Sequence, residues 1–274
     1  MPDTISPAGK PVAIVTGAGS GIGAATATLL AGKGMIVVLV GRREAKLIET
    51  ASVIESAGGE SMIVPADLAD AHAPAKVVEQ VLARFGRLDV LINNAAGLVA
   101  KPFDQFTLAE FDEQVAINVR SVFFLIQAAL PALRRSPAPA IVNLSSSVGS
   151  WVRVENALYS MTKAAIEHLT RCLAAELARD NIRVNAIAPG PAATSILATL
   201  GDNIEQVHEE LTSTVPLGRM GQPEELALWI AHLVDPRAAW VTGAIIPIDG
   251  GQTLGVGIQT RAGASPAPTL HDKL

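Results

Sequence analysis

Tyrosine is almost missing from this chain: there is one, Tyr159, in 274 residues, and aromatic residues together make up only 4%. Cysteine is as scarce. The one thiol, Cys172, excludes an intramolecular disulfide, and its place inside a helical pattern reads as a small buried apolar residue. Such thiol usage fits a reducing cytoplasm. Charge is sparse too, 17% of residues with a net −5. No run of Lys or Arg is present to neutralise a phosphate backbone or an anionic bilayer, so neither nucleic acid nor membrane is an expected partner. The opening MPDTISPAGK shows no basic n-region and no apolar h-region, so no secretory signal is read there. His72, His168, His208, His232 and His271 stand apart from carboxylates or thiols at ligand spacing, which points away from a metal site.

Apolar residues are abundant, at 49%, and mean hydropathy is +0.36. That is more than one core of this size consumes, and it points to subunit interfaces. VAIVTG, MIVVLVG, SMIVPAD, RLDVLINNA, PAIVNLSSS, IRVNAIAPG and GAIIPIDGG read as seven Val- and Ile-rich strands. Helical spacing fills about 21–33, 43–57, 71–85, 107–135, 157–180 and 223–234. Strands of this kind alternating with helices imply an α/β fold, a Rossmann-like doubly wound sheet of mostly parallel strands with helices on both faces. No composition shift divides residues 1–255, read as a single Rossmann-like domain, and 256–274 read as a C-terminal tail, either loose or lying over a neighbouring subunit.

Four glycines, Gly17, Gly19, Gly21 and Gly23, separate the first strand from the first helix. Glycine allows the tight turn, close backbone approach to a pyrophosphate and close helix–strand packing, and a helix N-terminus favours the negative charge. In sequence order there follow NNAAG at 93–97, Asn118, a serine-rich strand end, Tyr-x-x-x-Lys at 159–163, and Pro189-Gly190 with Thr194. This set resembles the short-chain dehydrogenase/reductase family, classical single-domain branch, over about residues 10–252. Ala96 departs from it, standing where the family has a glycine; Gly97 follows at once, and a local backbone adjustment is expected.

The resemblance implies a nucleotide cradle of Gly17, Gly19, Ser20, Gly21, Ile22 and Gly23, with Asn94 and Ala95 beyond the fourth strand. Asp67, followed by Leu68, matches the family residue beside the adenine, and it also reads as an ordinary helix cap. At the end of the second strand, where an acid would bond a ribose 2′-hydroxyl, stands Gly41, followed by Arg42 and Arg43. Two guanidinium groups suit a 2′-phosphate, so NADP(H) is expected over NAD(H).

Tyr159 and Lys163 are four residues apart, hence on one helical face. An ammonium beside a phenol is expected to lower its pKa from about 10, which suits proton transfer to or from a carbinol oxygen. By resemblance Tyr159 is the catalytic acid/base, Lys163 also holds the nicotinamide ribose, and Ser146, 13 residues before the tyrosine, holds the substrate oxygen. Asn118 matches the asparagine that anchors a relay water, though it also reads as a satisfied core amide. Pro189, Gly190 and Thr194 match the segment at the nicotinamide. Ser145 and Ser147 are expected in packing or turn roles.

Three segments should rim the cleft: 98–106, 149–157 and 191–220, the last a lid. Trp151, Val152, Val154, Ile196, Leu197 and Leu200 are expected to give it an apolar lining, with Arg153 solvated. The expected activity is that of an NADP(H)-dependent carbonyl reductase or alcohol dehydrogenase acting on a hydrophobic ketone or secondary alcohol. The alternatives are a 3-oxoacyl-thioester reductase and a non-catalytic NADP sensor. A homotetramer is expected through the apolar helices at 122–133 and 157–180.

Overall fold

The structure, a computed structural model, describes residues 9–194 and 204–256. In chain order the elements are β1 (Val12–Thr16), α1 (Gly21–Gly32), β2 (Ile36–Gly41), α2 (Glu44–Ser56), β3 (Glu60–Pro65), α3 (Ala73–Phe85), β4 (Val90–Asn93), α4 (Leu108–Val115), α5 (Ser121–Leu133), β5 (Ala140–Leu144), α6 (Ala157–Leu177), β6 (Arg183–Pro189), α7 (Ile204–Ser213), α8 (Pro223–Val234) and β7 (Ile245–Ile248). The strands form one seven-stranded sheet in the order β3-β2-β1-β4-β5-β6-β7, and every neighbouring pair is parallel. The chain works outward from β1 to β3 and then reverses to β4. That reversal opens a crevice between the carboxyl ends of β1 and β4, where ligands bind in such sheets.

Alternation along each strand divides the core in two. Val12 and Ile14 face a cluster with Val77, Val81, Leu125, Ile126 and Ile166, while Ala13 and Val15 face Leu30, Leu47, Ile54, Leu226 and Ile230. Both faces of β1 are therefore dry, which is why its sequence is apolar without interruption. Each such Leu or Ile, fully buried, contributes roughly 2–3 kcal/mol.

The helix expected over 107–135 is interrupted. Thr107 and Glu110 close a capping box at the start of α4, and Ala116–Arg120 then widens into a π turn before α5. A π turn shifts side-chain phase and rarely occurs without a local function; here it carries Asn118 inward. Cys172 is a further correction: it is exposed on the outer side of α6, because the inner stripe is Leu158, Thr162, Ile166, Thr170, Ala174 and Leu177. Of the expected tail only Val256 lies among the described residues.

Candidate active site

The loop from β1 to α1 is shaped by contacts a side chain would destroy. Gly17 (φ +66°) and Gly21 (φ +54°) are in the left-handed region. A Cβ on Gly17 would stand 2.7 Å from Asn94 Nδ2, and one on Gly21 3.0 Å from Thr194 Cγ2. Gly19, Ser20 and Ile22 line the cleft beside them. Gly23 does not: it is buried beneath the loop, where a Cβ would fall 2.2 Å from the Gly17 carbonyl oxygen, so its task is to seat α1 against the turn. The N-terminus of α1 has no acid in its first turn and the Ser20 side chain does not cap it. A backbone so shaped, ending at a helix start that favours negative charge, fits a pyrophosphate.

Thr16 fastens this loop to the next strand. Its hydroxyl donates to the Ile92 carbonyl at 3.2 Å and accepts from the amides of Asn94 and Ala95, both at 2.9 Å. Asn94 Nδ2 returns a bond to the Thr16 carbonyl at 2.8 Å. Arg42, Arg43, Asp67, Leu68, Asn94, Ala95, Pro189, Gly190 and Thr194 all line the same cleft of about 610 Å³ as the glycine loop. Arg42 and Arg43 are exposed at its mouth, and Arg43 Nη2 donates to the Ser20 hydroxyl at 3.3 Å. Asp67 Oδ1 accepts from the Ala69 amide at 3.0 Å, so it caps its own turn while still facing the cleft. Gly190 has a second role, since a Cβ there would meet Asp249 Cα at 2.7 Å where β6 and β7 end together.

Ser146, Tyr159 and Lys163 meet deeper in the cleft. Ser146 stands beside the Tyr159 hydroxyl and favours its ionised form. Lys163 is buried, donates from Nζ to the Leu144 carbonyl at 2.7 Å, and holds Nζ 5.4 Å from the centre of the Tyr159 ring. The expected acidic phenol is not what the chain alone provides. Burial pushes Tyr159 up to about 12, with Ser146 opposing, and burial pushes Lys163 down to about 8. The cation lies over the ring face and donates a hydrogen bond to a carbonyl, while removal from water disfavours charge on both groups.

Asn118 is 1% exposed and does not line the cleft. Its Oδ1 accepts from the Gly97 amide at 2.8 Å, and Nδ2 donates to the Gly97 carbonyl at 2.9 Å and to Thr162 Oγ1 at 3.1 Å. The side chain is thus a clamp that holds the segment beside Ala96 to α6.

Other polar residues beneath the site were not singled out as site residues from the sequence. Asn93 Nδ2 donates to Asn143 Oδ1 at 2.8 Å and Asn143 Nδ2 to Thr170 Oγ1 at 2.9 Å, tying β4 and β5 to α6. The signal available was an asparagine inside the apolar run AIVNL. Ser145 Oγ donates to Glu167 Oε1 at 2.8 Å, and Ser147 Oγ to Gln252 Oε1 at 2.7 Å, so both flanking serines anchor the loop that presents Ser146. The rim also differs from expectation. Trp151 lines the cleft, but Val152 and Val154 are 84% and 83% exposed outside it. Arg153 lines the cleft and pairs with Glu210 of α7 at 3.1 Å. Ile196, Leu197 and Leu200 lie outside the described residues.

Residues 17–253 match a family described as enoyl-(acyl carrier protein) reductase. A tropinone reductase homolog of Arabidopsis thaliana is 39% identical over 244 residues, 88% of this chain and 75% of that protein. A cis-4-hydroxycyclohexanecarboxylate dehydrogenase of Sinomonas cyclohexanicum is 37% identical over 243 residues, 88% of this chain and 96% of its own length. The structure of actinorhodin polyketide ketoreductase with NADPH superposes with a TM-score of 0.84 at 32% identity, covering 89% of this chain and 97% of that one. With the parallel sheet, the glycine cradle and near full-length likeness to dehydrogenases and reductases together, the chain belongs to the short-chain dehydrogenase/reductase family, an oxidoreductase family.

Proposed function

We propose that the protein is an NADP(H)-dependent reductase of ketones and dehydrogenase of the matching secondary alcohols, with Tyr159 as general acid/base. The observation that carries this reading is the meeting of Tyr159, Ser146 and Lys163 in the cleft that also holds the glycine loop and Arg42 and Arg43. Held by the glycine loop with Arg42 and Arg43, NADPH would supply the hydride for the carbonyl carbon. Ser146 holds the carbonyl oxygen, and the Tyr159 hydroxyl gives that oxygen its proton as charge develops there. A phenol near 12 suffices, because the alkoxide being formed is a far stronger base. The Lys163 ammonium then stabilises the phenolate left behind, and Asn118 keeps the Gly97 wall and α6 in register. Arg42 and Arg43 are assigned to the 2′-phosphate, since Gly41 offers no carboxylate to repel it.

Likeness to a 3-oxoacyl-[acyl-carrier-protein] reductase of Staphylococcus aureus, 36% identical over 241 residues, supports a 3-oxoacyl-thioester reductase as the second reading. Half-exposed Phe123 and Phe124 on α5, with Met161 on α6, support a homotetramer built through these helices, and the single thiol supports a cytoplasmic setting. A panel of ketones and a 3-oxoacyl thioester, each with NADPH and NADH, tests the assignment at the nicotinamide absorbance. NADPH oxidation lowered at least ~100-fold in Tyr159→Phe, with cofactor affinity kept, is the expected result. Turnover within a few-fold of wild type removes Tyr159 from the mechanism.

A further inference from the structure

We infer that Gln114 and Asn156 read a hydroxyl on the substrate, so that the preferred ketones are hydroxy ketones; this rests on the ketone-reductase reading above. Both residues line the cleft, yet they are only 2% and 4% exposed. Gln114 Oε1 accepts from the Val99 amide at 2.9 Å. Among the described residues its Nε2 has no partner, and neither has Asn156 Oδ1. Buried polar atoms are nearly always bonded, and leaving one unbonded is costly, so a donor and an acceptor both unsatisfied in one binding cleft point to a ligand group that serves them.

Their placement puts that group near the reacting carbon. Asn156 precedes α6 and lies three residues, one helical turn, before Tyr159. Gln114 lies four residues before Asn118, and its bond to Val99 holds it along the 97–99 segment that Asn118 clamps. A hydroxyl accepts from the Gln114 amide and donates to the Asn156 carbonyl at once. A carboxylate satisfies the first and is repelled by the second. A plain hydrocarbon or acyl chain strands both.

Reduction by NADPH of cyclohexanone and of 2-, 3- and 4-hydroxycyclohexanone provides the test. At least one hydroxy ketone is expected to exceed cyclohexanone by at least ~10-fold in kcat/KM, since sites built around a hydroxyl reject analogues without it. Asn156→Leu and Gln114→Met should bring that ratio toward one, lowering kcat/KM for the preferred hydroxy ketone at least ~10-fold more than for cyclohexanone, a pattern that loss of packing alone does not produce. Gln114→Glu keeps the acceptor for Val99 and replaces the donor, and it too should abolish the preference. Equal turnover of all four ketones, or a preference unchanged in every variant, overturns the inference and leaves the reductase reading standing. Absence of NADPH oxidation with these four and with the wider ketone panel defeats that reading, and the inference with it.

Discussion

Because Tyr159 is the chain's one tyrosine, its ionisation can be followed in isolation through the ultraviolet absorbance of phenolate. An unfolded chain should titrate near 10, whereas burial raises the folded phenol to about 12. That difference corresponds to about 3 kcal/mol against phenolate in the fold. Its sign fixes the pH dependence of stability. Between about 10 and 12 the unfolded state has released a proton that the folded state still holds, so stability falls as pH rises through that window, by up to about 3 kcal/mol. The assay is a rapid pH titration of native and denatured protein, paired with urea melts across the same range. Tyr159→Phe should show neither the absorbance step nor this part of the loss. A native midpoint at or below 10 would refute the assignment of desolvation as the dominant effect.

Lys163→Met probes the partner. Burial holds this ammonium down to about 8, so at pH 7 the fold carries a charge at a cost of about 3 kcal/mol, relieved as pH rises from about 8 toward 10.5. Methionine removes that cost but leaves the Leu144 carbonyl without its donor, worth about 1–3 kcal/mol; the thermal midpoint at pH 7 should stay within a few degrees while turnover falls at least ~100-fold. In wild type, reduction should decline above about 8 as Lys163 loses its proton, measured as kcat/KM against pH. Arg42→Ala should raise KM for NADPH at least ~10-fold and change KM for NADH by less than ~3-fold, since one charge-assisted contact to phosphate is lost; equal effects on both cofactors would reject the 2′-phosphate assignment. Gly23→Ala sets a Cβ against the Gly17 carbonyl oxygen and should lower stability by about 1–3 kcal/mol in denaturant melts, with cofactor affinity falling as the loop shifts.

The five inner strands were legible because they are dry on both faces and therefore largely apolar, the half-buried edge strands β3 and β7 by their Val and Ile content, and the alternation with helices left little choice of topology. The cradle glycines were legible for a related reason: only glycine tolerates a left-handed turn packed on Asn94 or a helix packed on Gly17, so position alone reveals them. What local spacing could not reveal was the electrostatic state of the site. Four residues between Tyr159 and Lys163 guarantee a shared helical face, yet whether the cation acidifies the phenol depends on how much water β5 and α6 exclude and on the Leu144 carbonyl claiming a proton. The same holds for Asn118, whose helical position said nothing of the π turn that swings it onto Gly97. It holds also for Arg153, which looked solvated until α7 brought Glu210 beside it. The sequence by itself determined backbone path and chemical inventory, since these follow from short-range periodicity and steric permission. Charge, solvation and hydrogen-bond ownership were decided only by tertiary structure, because they depend on groups distant in the chain and on the water they displace together.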